Sequence, residues 1–157
     1  MKQGALVKVW SRRAADFTGR FQRIAEAVRG LSADEAMVDG EAVIFLDDGR
    51  SDFHALLTRR GWAEAAFVAF DLLRLDDVDL RQRPLEKRRE ALARLIAKRR
   101  GDGILFSEAL AEEGAVLFAK ACELGLEGIV SKRLGSLYKG GPSRTWLKTK
   151  NPDFVRT

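Results

Sequence analysis

The sequence has few of the residues that build disulfide frameworks, zinc sites and membrane spans. Its 157 residues include one cysteine, one histidine and three prolines. The single cysteine, Cys122, excludes an internal disulfide framework and is typical of a reducing compartment, so we expect a cytoplasmic protein. His54 has no cysteine or histidine partner nearby in the sequence, which argues against a zinc site. No apolar run reaches the ~18–20 residues of a membrane span, so we expect no membrane partner.

Positive charge is the property that the sequence has in excess. The formal net charge is +5, and residues 131–157 contain seven lysines or arginines and one aspartate. Such an asymmetry favours a nucleic acid or polyphosphate partner, because cationic side chains neutralise phosphates and release counterions. Residues 81–100 are also strongly basic, but there the pattern predicts a solvated helix face.

The hydrophobic pattern predicts one domain with an α+β fold, in which mostly antiparallel sheets are flanked by helices. Strands are predicted over residues 5–11, 37–46, 65–75, 103–107, 128–130 and 145–150. Helices are predicted over residues 16–31, 52–60, 84–100 and 113–124, the last with Gly125 as its C′ residue. A chain of this length is sufficient for a hydrophobic core.

Three polar or small residues interrupt the apolar strands. Gly40 lies where a β-bulge or a close backbone approach is expected. Glu41 either faces water at a sheet edge or projects into a cleft. Asp71 lies in the most apolar run of the sequence, so it must either sit at the margin of the sheet or be held by hydrogen bonds.

Residues 127–150 form the most informative stretch. Glu127 precedes a short apolar strand, a glycine-containing loop follows, and the second strand carries Trp146, Lys148 and Lys150 on one face because side chains alternate along a strand. A carboxylate can bind a divalent cation, and lysines can neutralise phosphate oxygens. On the residues alone, a phosphate site and a solvated basic hairpin both remain open.

Five short motifs resemble the nucleotidyltransferase core of ATP-dependent DNA ligases, and in particular the ligase module of bacterial end-joining ligases. They are Ser-Arg at 11–12, Asp-Gly-Glu at 39–41, Phe-Asp-Leu-Leu at 70–73, Glu-Gly-Ile-Val-Ser-Lys at 127–132 and Trp-Leu-Lys-Thr-Lys at 146–150. Each motif alone is weak, but five in the family's order are specific. The resemblance covers essentially the whole chain. It implies a partial ligase-type nucleotidyltransferase core and the sealing of DNA nicks or ends through lysyl-adenylate and DNA-adenylate.

The resemblance implies ATP and Mg²⁺ (or Mn²⁺) as cofactors, DNA as a partner, and a role for each matched residue. Arg12 would hydrogen-bond the ribose of ATP, and Glu41 would face the ribose or the metal. The ring of Phe70 would stack on adenine. From the apolar run alone, however, core packing is the better interpretation of Phe70.

The remaining matched residues would act on the metal and the phosphates. Glu127 would bind the divalent metal, and Lys132 would lie near the phosphates. Lys148 and Lys150 would hold the α-phosphate and offset the charge that develops there during nucleotidyl transfer.

The sequence departs from the family at the nucleophile. Ligases attack ATP with a lysine in a Lys-x-Asp-Gly motif, well upstream of the Ser-Arg pair. Here Lys2 is followed by Gln3 and Gly4, without the aspartate and in a predicted turn. We therefore assign no catalytic lysine and expect residues 1–157 to form a single incomplete adenylation domain, without the Lys-x-Asp-Gly segment and the C-terminal OB-fold.

Alternatives to a partial DNA ligase stay open. The chain is either part of an enzyme, completed by segments on a separate polypeptide or in a longer reading frame, or a non-catalytic remnant that binds nucleotide or nucleic acid. The same motifs also fit a fragment of an RNA ligase or a capping-type nucleotidyltransferase. In either case, missing strands would leave sheet edges that favour self-association.

The absence of an assigned nucleophile gives a first prediction. Incubation of this chain with Mg²⁺ and ATP labelled at the α-phosphate should leave no label on the denatured protein, because no lysine is assigned to form the phosphoramidate bond. A covalent adenylate mapped to Lys2 by mass spectrometry would contradict the prediction.

Overall fold

The computed structural model describes residues 1–47, 49–99 and 101–154 and has a mixed α+β fold. The strands are β1 (Lys2–Gln3), β2 (Leu6–Val7), β3 (Glu35–Val43), β4 (Ala66–Leu75), β5 (Val78–Asp79), β6 (Ile104–Phe106), β7 (Gly128–Lys132) and β8 (Trp146–Lys150). The helices are α1 (Gln22–Arg29), α2 (Arg59–Glu64), α3 (Leu85–Ala97) and α4 (Gly114–Glu123), and a 3₁₀ turn covers Ala55–Leu57.

The strands form two sheets within the described residues. The larger sheet has the order β2-β1-β3-β4-β5, and β6 also pairs with β4; the smaller sheet is the β7–β8 hairpin. Every pairing is antiparallel except β4 with β6. The expectation of mostly antiparallel sheets is therefore confirmed, and the long apolar run at residues 66–75 is the central strand.

Helices α1 and α3 cover the larger sheet and form the core with it. Ile24 of α1, Leu92 of α3, Leu72 of β4 and Ile104 of β6 are at most 1% exposed. These positions follow the helical and strand periodicities of the sequence. Within the described ranges, no helix has the length and apolar character needed to cross a membrane.

The N-terminal segment differs from the strand predicted over residues 5–11. The chain instead makes a hairpin of two short strands, turning at Gly4 with a φ of +53°. Lys2 therefore lies in a strand rather than in a turn, and its ammonium is buried. Its Nζ donates to the carbonyl oxygens of Leu31 and Ala33, at 2.6 Å each.

Two predicted helices are shorter in the structure. The helix expected from residue 16 begins at Gln22, because the Asp16 carboxylate accepts a hydrogen bond from the backbone N–H of Thr18 and stabilises a turn there. The helix expected over 84–100 is α3, which ends at Ala97; Arg100 lies outside the described residues.

The basic segment around α3 is not only a solvated face. The guanidinium of Arg88 is fully buried and forms a two-pronged ion pair with Asp71, with Nε–Oδ1 and Nη2–Oδ2 both at 2.8 Å. This contact corrects the prediction for Arg88, and it shows that Asp71 is held by hydrogen bonds in the middle of the sheet.

The pairing of β3 with β4 contains two one-residue shifts. Gly40 pairs with Ala69 and Asp39 pairs with Asp71, so Phe70 is an extra residue in β4. A second shift lies between Met37 and Val38 and leaves Leu73 as another extra residue. The bulge expected at Gly40 is therefore confirmed, with the extra residue on the opposite strand.

Gly40 is also a point of close backbone approach. A Cβ at this position would lie 2.5 Å from the Phe67 ring and 2.7 Å from the carbonyl oxygen of Val68. The neighbouring backbone belongs to the central strand and has little freedom to move. The position therefore requires glycine.

Gly40→Ala should lower the free energy of unfolding by about 1–3 kcal/mol because the added methyl group overpacks the β3–β4 pair. Urea denaturation followed by circular dichroism measures this change. Gly19→Ala is the control, since no atom lies within 4 Å of its Cβ position, and it should change stability by less than about 0.5 kcal/mol. Equal stabilities of the two variants would contradict the steric argument.

Candidate functional site

The β7–β8 hairpin places most of the predicted site residues on one surface. Lys132 pairs directly with Trp146, and Val130 pairs with Lys148. Because side chains alternate along each strand, these four residues share a face with Lys150. The predicted common face of Trp146, Lys148 and Lys150 is therefore present.

Glu127 is positioned by the end of α4. The helix ends at Glu123 with Leu124 as its C-cap. Gly125 follows with a φ of +64°, and the backbone N–H of Leu126 donates to the carbonyl of Ala121. The backbone of Glu127 is fixed by an N–H from Asn151, at 2.9 Å. The next position, 128, requires glycine because a Cβ there would lie 2.0 Å from the carbonyl oxygen of Thr149.

Glu127 and Lys148 are in direct contact. The Lys148 Nζ donates to Oε1 of Glu127 at 2.7 Å, and the two side chains are 34% and 48% exposed, with Lys148 the more exposed. A partly exposed ion pair contributes about 1 kcal/mol or less, so a ligand can separate the two groups without a large penalty. The pair can thus present a carboxylate to a cation and an ammonium to a phosphate.

Lys132 joins the hairpin to the central strand. Its Nζ lies 3.9 Å from the ring centroid of Phe70 and 4.0 Å from that of Trp146. The two rings meet edge to face, with centroids 5.5 Å apart. Phe70 is half-buried at this junction, and its bulged position in β4 directs it toward the hairpin.

Charged groups surround this aromatic cluster. Burial lowers the pKa of Lys132 to about 8, with help from the Arg89 charge, while Asp71 and Asp39 oppose the change. Burial and the Asp71 charge raise the pKa of Asp39. The hydroxyl of Tyr138 donates a long hydrogen bond to Asp39 Oδ2, at 3.4 Å.

Asp39 and Tyr138 lie beside the candidate site, and sequence reasoning missed their contact. The sequence pointed to Asp39 only as a member of the Asp-Gly-Glu motif and gave no role to Tyr138, the chain's single tyrosine. The two residues lie 99 positions apart. No local pattern could have joined them, because their contact depends on the docking of the hairpin loop.

Arg12 and Glu41 lie away from these contacts. Arg12 is exposed in the turn after β2, and Glu41 is exposed on β3, opposite Val68. Within the described residues, the structure records no hydrogen bond or ion pair from either side chain to the hairpin. Their roles therefore stay predictions.

The donor set suits a metal that is bound together with its substrate. Among the described residues, no group of three or more His, Cys, Asp or Glu side chains is close enough to hold a metal by itself. Mg²⁺ commonly binds through one or two carboxylates plus substrate phosphates, and Glu127 supplies one such carboxylate. The residues present fit that mode of binding.

The loop between β7 and β8 lines an open groove of about 700 Å³. Its exposed basic side chains are those of Arg133, Lys139 and Arg144. The groove is bounded by the loop and does not include Lys148. It adds a second cationic surface, next to the hairpin face.

Residues 1–150 match the protein family described as the ATP dependent DNA ligase domain. The chain belongs to this family. This chain is 40% identical over 147 residues to the multifunctional non-homologous end joining protein LigD of Pseudomonas aeruginosa. The match covers 92% of this chain and 18% of that protein. It is 34% identical over 168 residues to a DNA ligase of Pyrobaculum islandicum, covering 96% and 28%. The chain thus spans less than a third of either relative.

Solved structures support the same assignment. The ligase domain from M. tuberculosis LigD matches with a TM-score of 0.76 and 30% identity, over 93% of this chain and 48% of that one. A mycobacterial DNA ligase D complexed with ATP and MES matches with a TM-score of 0.79 and 29% identity, over 95% and 49%. The fold inferred from the sequence motifs is therefore confirmed.

The burial of Lys132 gives a prediction about pH. Its pKa is lowered in the folded state from an ordinary value of 10.5 to about 8, so the folded protein binds fewer protons between these values. The free energy of unfolding should therefore rise with pH across this window. Lys132→Met should flatten the rise, measured by urea denaturation from about pH 7.5 to about pH 10.

The titration itself is measured on the side chain by carbon NMR of the lysine Cε groups. The Lys132 resonance should have its midpoint near 8, and it is assigned by its absence in Lys132→Met. A midpoint at the ordinary value of a lysine would contradict the burial argument.

Proposed function

We propose that this ligase domain binds ATP with Mg²⁺ or Mn²⁺ as part of the adenylation unit of a DNA ligase. The family reaction seals DNA nicks or ends through lysyl-adenylate and DNA-adenylate. The observation that carries the proposal is the hairpin face, on which the Glu127–Lys148 pair lies next to the cluster of Phe70, Lys132 and Trp146. A carboxylate, cations and an accessible aromatic ring are the groups that a metal–nucleotide complex requires.

In this proposal Phe70 stacks on the adenine. The support is its half-buried position between the two sheets and its edge contact with Trp146, which limits the rotation of the ring. A flat aromatic side chain held in one orientation is a suitable platform for a base.

Glu127 holds the divalent metal, while Lys148 and Lys150 hold the α-phosphate. Lys132, whose Nζ lies against the rings of Phe70 and Trp146, contributes positive charge near the phosphates. Cations fixed in place before reaction stabilise the charge that develops during nucleotidyl transfer without further reorganisation. The metal, when bound, would neutralise phosphate charge and align the phosphates.

Arg12 and Glu41 are proposed to contact the ribose, with Glu41 alternatively facing the metal. These two roles rest on the motif positions within the family. Lys2 has no proposed role in adenylation, since its Nζ is buried and donates to two backbone carbonyls. Self-adenylation is accordingly not proposed for residues 1–157 alone, and a separate polypeptide or further segments would supply the nucleophile and an OB-fold.

A second candidate function is non-catalytic binding of nucleotide or nucleic acid. The observation that favours it is the basic groove formed by Arg133, Lys139 and Arg144. DNA is the preferred nucleic acid because the chain belongs to a DNA ligase family.

Self-association is proposed through the edge of β3. There β1 pairs only with Glu35 and Ala36, and the described residues leave the outer edge of 38–43 open.

Lys148→Ala should weaken ATP binding about 10–100-fold in the presence of Mg²⁺, because the variant loses a charged hydrogen bond to phosphate worth about 1.5–3 kcal/mol. Isothermal titration calorimetry measures the affinity. Lys120→Ala is the matched control, since Lys120 is an exposed lysine on α4 paired with Glu112, and it should bind ATP as the wild type does. Equal affinities of wild type and Lys148→Ala would exclude the proposed phosphate site.

A further inference from the structure

We propose that Arg88 and Arg89, two successive residues of α3, are positioning residues for the nucleotide site. Both hold the strand segment Phe70–Asp71, and Arg88 also holds the loop between β7 and β8. This inference rests on the proposed function and adds to it the element that sets the distance between the two walls of the site.

Arg88 connects both walls by itself. Its guanidinium is fully buried and pairs with the Asp71 carboxylate through Nε and Nη2. The Nη1 group donates to the carbonyl oxygens of Arg83, at 2.6 Å, and Ser136, at 3.0 Å. Ser136 belongs to the loop that connects the two strands of the hairpin, so one side chain joins β4, the segment before α3 and that loop.

Arg89 holds the backbone of the bulged residue. Phe70 is an extra residue without a partner in the β3–β4 ladder, and bulges leave backbone groups that need other partners. Arg89 Nη1 donates to the Phe70 carbonyl at 3.0 Å, and Nη2 donates to the carbonyl of Ser107. The guanidinium also lies 4.8 Å from the ring centroid of Phe106, which fixes its plane.

The start of α3 and the segment before it hold the loop at two further points. The backbone N–H of Gly135 donates to Oε2 of Glu86 at 2.8 Å, and that of Tyr138 donates to the carbonyl of Arg81 at 2.9 Å. Three contacts within residues 135–138 thus come from α3 and the segment before it. The loop and Lys132, which precedes it by a few residues, are held at a fixed position relative to Phe70.

The chemistry of these contacts requires arginine. A buried ion pair often gives no more stability than a well-packed apolar pair, so stability alone does not account for it. A guanidinium presents five N–H donors in one plane, and here it serves a carboxylate and two carbonyls at once. A lysine could keep the charge but could not bridge the same groups, which makes Arg→Lys the informative substitution.

The first test measures position without any ligand. In Arg88→Lys, amide hydrogen exchange of residues 133–138 should rise about tenfold or more, while exchange in α1 stays unchanged. In Arg89→Lys, the indole N–H resonance of Trp146 should shift, because Phe70 lies against that ring. Arg94→Lys is the matched control on the same helix, since Arg94 is 63% exposed and pairs with Glu90. Unchanged exchange and an unchanged resonance in both variants would overturn the proposal.

The second test separates positioning from folding. ATP and inorganic tripolyphosphate share the phosphate chain, but only ATP has a base that needs Phe70. Both variants should bind ATP about tenfold more weakly than the wild type and bind tripolyphosphate within about twofold of it. Equal weakening of both ligands, together with a lowered melting temperature, would mean that the arginines only stabilise the fold. Failure of the wild type to bind ATP would overturn the proposed function, and hydrogen exchange would still decide the positioning role.

Discussion

The ion pair between Asp71 and Arg88 is the contact on which the site depends. Both side chains have no exposure to solvent, and neither charge would be tolerated there alone. Breaking such a pair by removing one partner leaves a buried charge and typically costs about 3–5 kcal/mol. The central strand, the third helix and the hairpin loop therefore keep one arrangement relative to each other, and the hairpin face is presented beside β4.

The hairpin explains why two of the family's motifs have the residues they have. Glu-Gly-Ile-Val-Ser-Lys and Trp-Leu-Lys-Thr-Lys are the two strands of one antiparallel pair, aligned so that Lys132 opposes Trp146 and Gly128 opposes Lys150. The glycine is required by the backbone of the facing strand. Glu127 lies just before β7, and Lys148 reaches it from the middle of β8, where it pairs with Val130. Both motifs are thus parts of a single structural unit.

Local patterns in the sequence predicted the elements whose stability is local. The apolar run of β4, the glycine at the end of α4 and the common face of Trp146, Lys148 and Lys150 follow from periodicity and turn chemistry, and the structure agrees. The strand predicted over residues 5–11 is only partly present, as β2, and the sequence pattern gave no sign that Lys2–Gln3 pair with it across the turn at Gly4.

Long-range contacts were beyond such reasoning. Arg88 looked like one charge in a solvated run, since its partners Asp71 and Ser136 are 17 and 48 residues away. The contact of Asp39 with Tyr138 was missed for the same reason. The position of Phe70 depends on strand register, which no single segment of sequence specifies. Whether an arginine is exposed or buried in an ion pair can be decided only when its partner is known.

The two extra residues in β4 have a geometric consequence for the Phe-Asp-Leu-Leu motif. Side chains in a strand alternate with a period of two, so one extra residue inverts the faces and a second restores them. Phe70 and Leu73 are those two residues, and between them only Asp71 and Leu72 keep a partner on β3. The inversion is thus confined to four consecutive positions, and these are the four positions of the motif. Within the motif, each side chain points to the face of the sheet opposite to the one that the alternation in the rest of β4 would give it. Asp71 can therefore lie in the middle of the sheet while the strand keeps the same orientation on either side of the motif.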